Sequence, residues 1–143
     1  MESVRASWEI AARPEEVWAL VGAFNDLPRI TDAYVKSELE GEGRFRRLSD
    51  GQGGELFEEL EHYDEAARSF GYRILETKGV SLPYRAGTFR ATLTVLDGRQ
   101  ENGSVLEVVA SYEPVAGAAE IAARETRAFY QGCVEGIRKI LAV

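Results

Sequence analysis

The chain of 143 residues is short of several things, and each scarcity narrows its chemistry. A single cysteine, Cys133, excludes an internal disulfide, and the one histidine, His62, has no second histidine or cysteine near it to complete a zinc site. Positive charge is also scarce: 17 basic residues against 24 acidic ones give a formal charge of −7. Such a chain has no surplus with which to neutralise phosphates, so nucleic acid is not an expected partner, and a strongly acidic ligand would need a local arginine cluster. No apolar run approaches the roughly 20 residues of a membrane span, and Met1-Glu2-Ser3-Val4-Arg5 lacks the apolar stretch of a signal peptide, which predicts a cytoplasmic protein without integral membrane association. There is no Ser-His-Asp arrangement, no phosphate-binding glycine motif and no metal set, which sets aside hydrolases, kinases and metalloenzymes and implies no cofactor.

What is present reads as one globular domain spanning residues 1–143, with 45% hydrophobic and 29% charged residues and no linker. Val4, Ala6, Trp8 and Ile10 alternate with Ser3, Arg5, Ser7 and Glu9, the period-2 pattern of a strand with one buried face. Pro14, followed by Glu15 and Glu16, opens a short helix to about Phe24 on the stripe Val17, Trp18, Leu20, Val21, Phe24, with one further turn at Leu27–Ile30. Six more strands follow between turn residues: Ala33–Glu40, Gly43–Leu48, Glu55–Tyr63, Arg68–Thr77, Arg85–Leu96 and Ser104–Glu113. After Pro114 the period changes to about 3.6, with Ile121, Ala122, Phe129, Cys133, Ile137, Ile140 and Leu141 on one stripe of a helix of about 25 residues. A helix of that length must lie along something equally long, here one face of the sheet.

This order, with Pro14-Glu15-Glu16-Val17-Trp18-Ala19-Leu20-Val21, Arg47-Leu48, Glu58-Glu59-Leu60, Asp64, Arg68, Tyr72-Arg73-Ile74 and Tyr112-Glu113-Pro114, resembles the START-like (SRPBCC) helix-grip superfamily. Within it the chain is most similar to the bacterial polyketide cyclase/dehydrase-like branch, related to Bet v 1 and the abscisic-acid receptors. The resemblance implies an α+β fold in which a curved, seven-stranded antiparallel sheet wraps a long C-terminal helix, with two short helices after the first strand. It also implies an elongated cavity for a small hydrophobic molecule, rimmed by Ser49–Gly54 and Lys78–Tyr84, in a monomer or homodimer. Ile30 and Val109 stand where relatives often carry tryptophan, changes expected to alter the pocket's shape. Thr31-Asp32 put an acid where the plant receptors have a lysine, so an abscisate-like acid is not the expected ligand.

Strand parity nominates the polar groups of that cavity. Glu58 shares parity with Leu56 and Leu60, so it faces inward with them, either as a polar anchor or general acid/base or as a structural ion pair with a neighbour such as Arg46. His62 has the same parity, near the end of the strand, where solvent exposure outweighs a proton-shuttling role. Arg44 and Arg46 share a face; an inward Arg46 would bind an enolate or phenolate oxygen, and an outward one would belong to a solvated basic face. Tyr72, Phe89 and Tyr112 point to the concave side, Tyr84 sits at the rim, and Phe129, Tyr130 and Cys133 close the cavity from the helix, where Gly132 and Gly136 permit close approach. Cys133 is a small buried hydrophobe, with no histidine or lysine beside it to activate the thiol.

Binding of a hydrophobic, aromatic or polyketide-like ligand ranks first, because it needs only the cavity. A cyclase, dehydratase or isomerase ranks second, with Glu58 or Tyr72 moving a proton and Arg46 steadying an oxyanion. A protein-interaction domain pairing through a sheet edge ranks third.

Overall fold

A computed structural model describes all 143 residues. Its first strand, β1 (Glu2–Ile10), buries Val4 and Ile10 and half-buries Ala6 and Trp8, as the alternation predicts. Pro14 occupies the first turn of α1 (Pro14–Val21), which buries Val17, Trp18, Leu20 and Val21. A kinked 3-10 segment (Phe24–Arg29) follows, so Phe24 lies beyond α1 rather than at its end. The strands β2 (Lys36–Glu40), β3 (Phe45–Ser49), β4 (Glu55–Asp64), β5 (Ser69–Lys78), β6 (Arg90–Asp97) and β7 (Ser104–Tyr112) lead to α2 (Ala119–Leu141). All seven strands form one antiparallel sheet in the order β1-β7-β6-β5-β4-β3-β2, the helix-grip architecture.

Local hydrogen bonding explains where strands start later than the periodicity predicts. Thr31 Oγ1 accepts from the Ala33 amide, holding a turn ahead of β2. A 3-10 turn at Gly41–Gly43 delays β3, and the Thr88 amide and hydroxyl both donate to the Arg85 carbonyl, which delays β6 to Arg90.

Two bulges reshape the centre of the sheet. Pairing slips between Phe57 and Glu58 and again between Leu60 and His62, and such slips bend and twist a strand. Past the second one the parity of β4 inverts. His62 therefore lies opposite Gly71 on the outer face, exposed, with Nε2 3.4 Å from Thr92 Oγ1, and does not share the face of Glu58. Tyr63 turns inward instead, its ring 5.4 Å from that of Trp18.

The helix α2 lies nearest β1 and β7, where Trp8 Nε1 donates to Gln131 Oε1 at 2.5 Å. It buries Ala122, Thr126, Tyr130, Cys133, Val134 and Ile137, while Ile121 and Ile140 fall outside this stripe and stay exposed. Gly136 lets α2 press directly on the backbone of Ile30, whose carbonyl oxygen would collide with any Cβ there. Gly132 has no neighbour where its Cβ would stand, so its place on the helix reflects no close contact. No helix is long and apolar enough to cross a membrane.

These glycines give opposite expectations. Gly136→Ala should destabilise the fold by about 1–3 kcal/mol through overpacking, whereas Gly132→Ala should stabilise it by about 0.5–1 kcal/mol through helix propensity. Urea denaturation of the two variants checks both, and equal midpoints would contradict the packing of α2 on Ile30.

Candidate functional site

Arg46 on β3 and Glu58 on β4 are register partners, so their side chains leave the sheet side by side on the concave face. They are 3% and 2% exposed. Arg46 Nε donates to Glu58 Oε1 at 2.8 Å, one terminal nitrogen lies 2.7 Å from the same oxygen as an ion pair, and the other terminal nitrogen donates to the Phe24 carbonyl at 2.5 Å. The guanidinium lies over the Phe24 ring at 4.2 Å and faces the Tyr72 ring at 5.2 Å. Burial pushes the Glu58 carboxyl up from its ordinary value, and the adjacent Arg46 opposes that shift. The guanidinium favours the ionised carboxylate, because protonating Glu58 would leave a buried cation without its counter-charge.

Arg44 departs from the shared face assigned to it with Arg46. It precedes β3 in a helical turn conformation that breaks the alternation, and it donates to Glu59, a residue of the convex face. Arg73 reaches Glu59 as well, and Arg47 pairs with Glu40 and Glu55, so these arginines form an outer charge network.

Aromatic rings fill most of the space between α2 and the sheet. Tyr72 on β5 and Tyr130 on α2 hydrogen-bond through their hydroxyls, and Tyr84 does the same with Thr126 at 2.6 Å. Phe89 stacks on Tyr112 at 6.0 Å and meets Tyr84 at 4.7 Å. Burial raises the phenols of Tyr72, Tyr130 and Tyr84, so all three are neutral donors and acceptors at neutral pH.

Two neighbouring chambers with a shared wall remain. The inner one, about 130 Å³, is walled by Glu58, Tyr72, Tyr84, Phe89, Phe129 and Tyr130 together with Leu27, Tyr34, Leu56, Ile74, Leu82, Pro83, Glu125 and Thr126. The outer one, about 240 Å³, shares Ile74, Leu82, Tyr84 and Phe89 with it and extends past Val80 to Arg85–Gly87. Wider hollows of about 500 and 540 Å³ lie elsewhere on the surface, but polar residues make up most of their walls.

The structure brings six of the nominated side chains together around the inner chamber and leaves three outside it. Tyr112 packs behind Phe89, while Arg46 and Cys133 border a small void of about 20 Å³ that shares Leu27, Tyr72, Phe129 and Tyr130 with the inner chamber. Val109 lies between the inward-facing Val108 and Ala110 and points away from the chambers, so its identity does not shape them. The loop Ser49–Gly54 lines neither chamber; its Gly53 carbonyl abuts Gly79 in the other rim loop, where a Cβ would clash. Sequence reasoning missed Tyr34, Leu27, Leu82 and Thr126. Thr126 shares the α2 stripe with Ala122 and Tyr130 and was open to detection by spacing, whereas Tyr34 sits in an aperiodic loop.

The chain belongs to the family described as polyketide cyclase/dehydrase and lipid transport, whose model matches residues 1–142. Among solved structures, XoxI from Bacillus cereus has a TM-score of 0.88 at 28% identity, covering 98% of this chain and 95% of that one. An uncharacterised protein from Bacillus thuringiensis has a TM-score of 0.89 at 27% identity, covering 99% and 100%. The Bet v 1-like Ara h 8.0201, at 14% identity, TM-score 0.79 and coverage of 99% and 97%, shares the fold alone. A comparison with curated proteins returns no match. Family and fold together define a hydrophobic ligand-binding type of domain.

Two predictions follow from the buried groups. Glu58→Gln and Arg46→Met should each cost about 3–5 kcal/mol, and the double variant Arg46→Met/Glu58→Leu should recover most of that loss. Additive losses in urea denaturation would contradict a direct pair. Burial pushes the Cys133 thiol up to about 12, so the folded protein keeps it protonated where a free thiol has begun to ionise. Iodoacetamide at pH 8 should therefore label Cys133 only after unfolding; rapid labelling of the native protein would mean that the interior opens.

Proposed function

We propose that the chain binds a small, largely apolar aromatic or polyketide-like molecule in the two chambers between α2 and the sheet. The observation that carries this reading is the lining: aromatic and aliphatic side chains with a few fixed polar groups, which is how small-molecule sites are built. Each chamber is smaller than the roughly 300 Å³ at which drug-sized pockets begin, so the fitting ligand is a compact one or occupies both. Glu58, Tyr72, Tyr84, Phe89, Phe129 and Tyr130 would contact it. Tyr112 and Cys133 would support that wall from behind.

Binding stands ahead of a cyclase or dehydratase reaction for a geometric reason. Every nitrogen of Arg46 is already engaged by Glu58 or the Phe24 carbonyl, and the Tyr72 hydroxyl is engaged by Tyr130, which favours supporting roles over contact with a reacting oxyanion.

Native mass spectrometry of the purified protein, compared with its denatured mass and followed by extraction, tests the reading. A retained apolar small molecule is expected. Leu82→Trp, at the wall shared by both chambers, should reduce the retained fraction about tenfold; an empty protein that also ignores hydrophobic probes would contradict the proposal.

A further inference from the structure

Two polar atoms of the inner chamber have hydrogen-bonding capacity that the chain itself does not use. Both contacts from Arg46 to Glu58 fall on Oε1, at 2.8 and 2.7 Å. The other oxygen, Oε2, accepts no hydrogen bond from the protein, although the side chain is 3% exposed and belongs to the chamber wall. Tyr34, in the segment entering β2, borders the same chamber, its ring edge-on to Phe129 at 6.1 Å. Its hydroxyl likewise has no partner in the chain. Burial pushes this phenol up and the charge of Glu58 pushes it further, so Tyr34 stays protonated and available as a donor. A phenol both donates and accepts, whereas an ionised carboxylate only accepts.

Charge limits what fits between them. Arg46 cancels Glu58 within the pair, and an ion of either sign would bring uncompensated charge against Leu56, Ile74 and Phe89. Glu125 at the same chamber further disfavours anions.

We propose, building on the binding function above, that Glu58 Oε2 and Tyr34 Oη form a two-point subsite for the hydroxyl of an uncharged aromatic alcohol. The ligand O–H donates to Glu58, and its oxygen accepts from Tyr34. An ether offers no donor, and a carboxylate offers neither a donor nor neutrality. Arg46 is a positioning residue here: it holds one carboxylate oxygen and leaves the other turned to the ligand.

Calorimetric titration with 2-naphthol, 2-methoxynaphthalene and naphthalene-2-carboxylate tests this on one ring system. 2-Naphthol should bind at least about tenfold more tightly than the ether, because a hydrogen bond to a charged acceptor outweighs a neutral one, and the carboxylate should bind most weakly. Tyr34→Phe should weaken naphthol and ether alike and preserve the gap between them. Arg46→Met/Glu58→Leu should close the gap; if that variant does not fold by circular dichroism, the wild-type gap and Tyr34→Phe decide. Equal binding of naphthol and ether, tightest binding of the carboxylate, or naphthol binding unchanged in Tyr34→Phe would overturn the subsite and leave the cavity reading intact. No binding of any of the three would overturn both.

Discussion

A buried guanidinium and carboxylate opposite each other on adjacent strands organise the interior of this domain. Removing two charges from water costs several kcal/mol per ion, and only close geometry offsets it. Here the register of β3 and β4 supplies that geometry, since Arg46 and Glu58 are direct partners. Arg46 then reaches beyond the sheet: its hydrogen bond to the Phe24 carbonyl ties the 3-10 segment to the concave face, and the Phe24 and Tyr72 rings cover the guanidinium. The strand pairing, the chain after α1 and the aromatic core thus meet at one cation. The same arrangement leaves one Glu58 oxygen without a hydrogen bond from the chain, on a side chain that lines the inner chamber.

The position of α2 determines how much room is left beside that pair. Gly136 brings the helix onto Ile30, and Trp8 with Gln131 anchors it at the β1 edge, so the remaining gap opens toward β4 and β5. Tyr72–Tyr130 and Tyr84–Thr126 span that gap through hydroxyl contacts. Each of those phenols combines a broad apolar body with a tip that needs a partner, and the hydroxyls of α2 satisfy the tips of Tyr72 and Tyr84 inside the fold. Chambers of about 130 and 240 Å³ are what such a partly filled grip retains, rather than one long cavity.

Much of this was legible in the sequence wherever a regular period operates. The alternation in β1 and the 3.6 stripe of α2 located the outer strand and the long helix, and parity placed Glu58, Tyr72 and Phe89 inward. Illegibility begins where pairing is irregular. The bulge after Leu60 inverts parity at His62 and no residue type marks it, while the turn that Gly41 and Gly43 do mark runs on to Arg44 and separates it from Arg46. Ile121 and Ile140 read as core from the 3.6-residue spacing, yet α2 meets the sheet over a narrower stripe that excludes them. Tyr34 escaped notice because loop side chains are placed by tertiary contacts, here Phe129, and not by local spacing.

The central claim is that a compact aromatic molecule enters between α2 and the sheet. Methyl-labelled protein titrated with 2-naphthol and observed by nuclear Overhauser spectroscopy tests this directly. The account predicts cross-peaks from ligand ring protons to the methyl groups of Leu56, Ile74 and Leu82. Cross-peaks confined to the exposed Val35 and Leu39, with the interior methyl resonances unmoved, would contradict it.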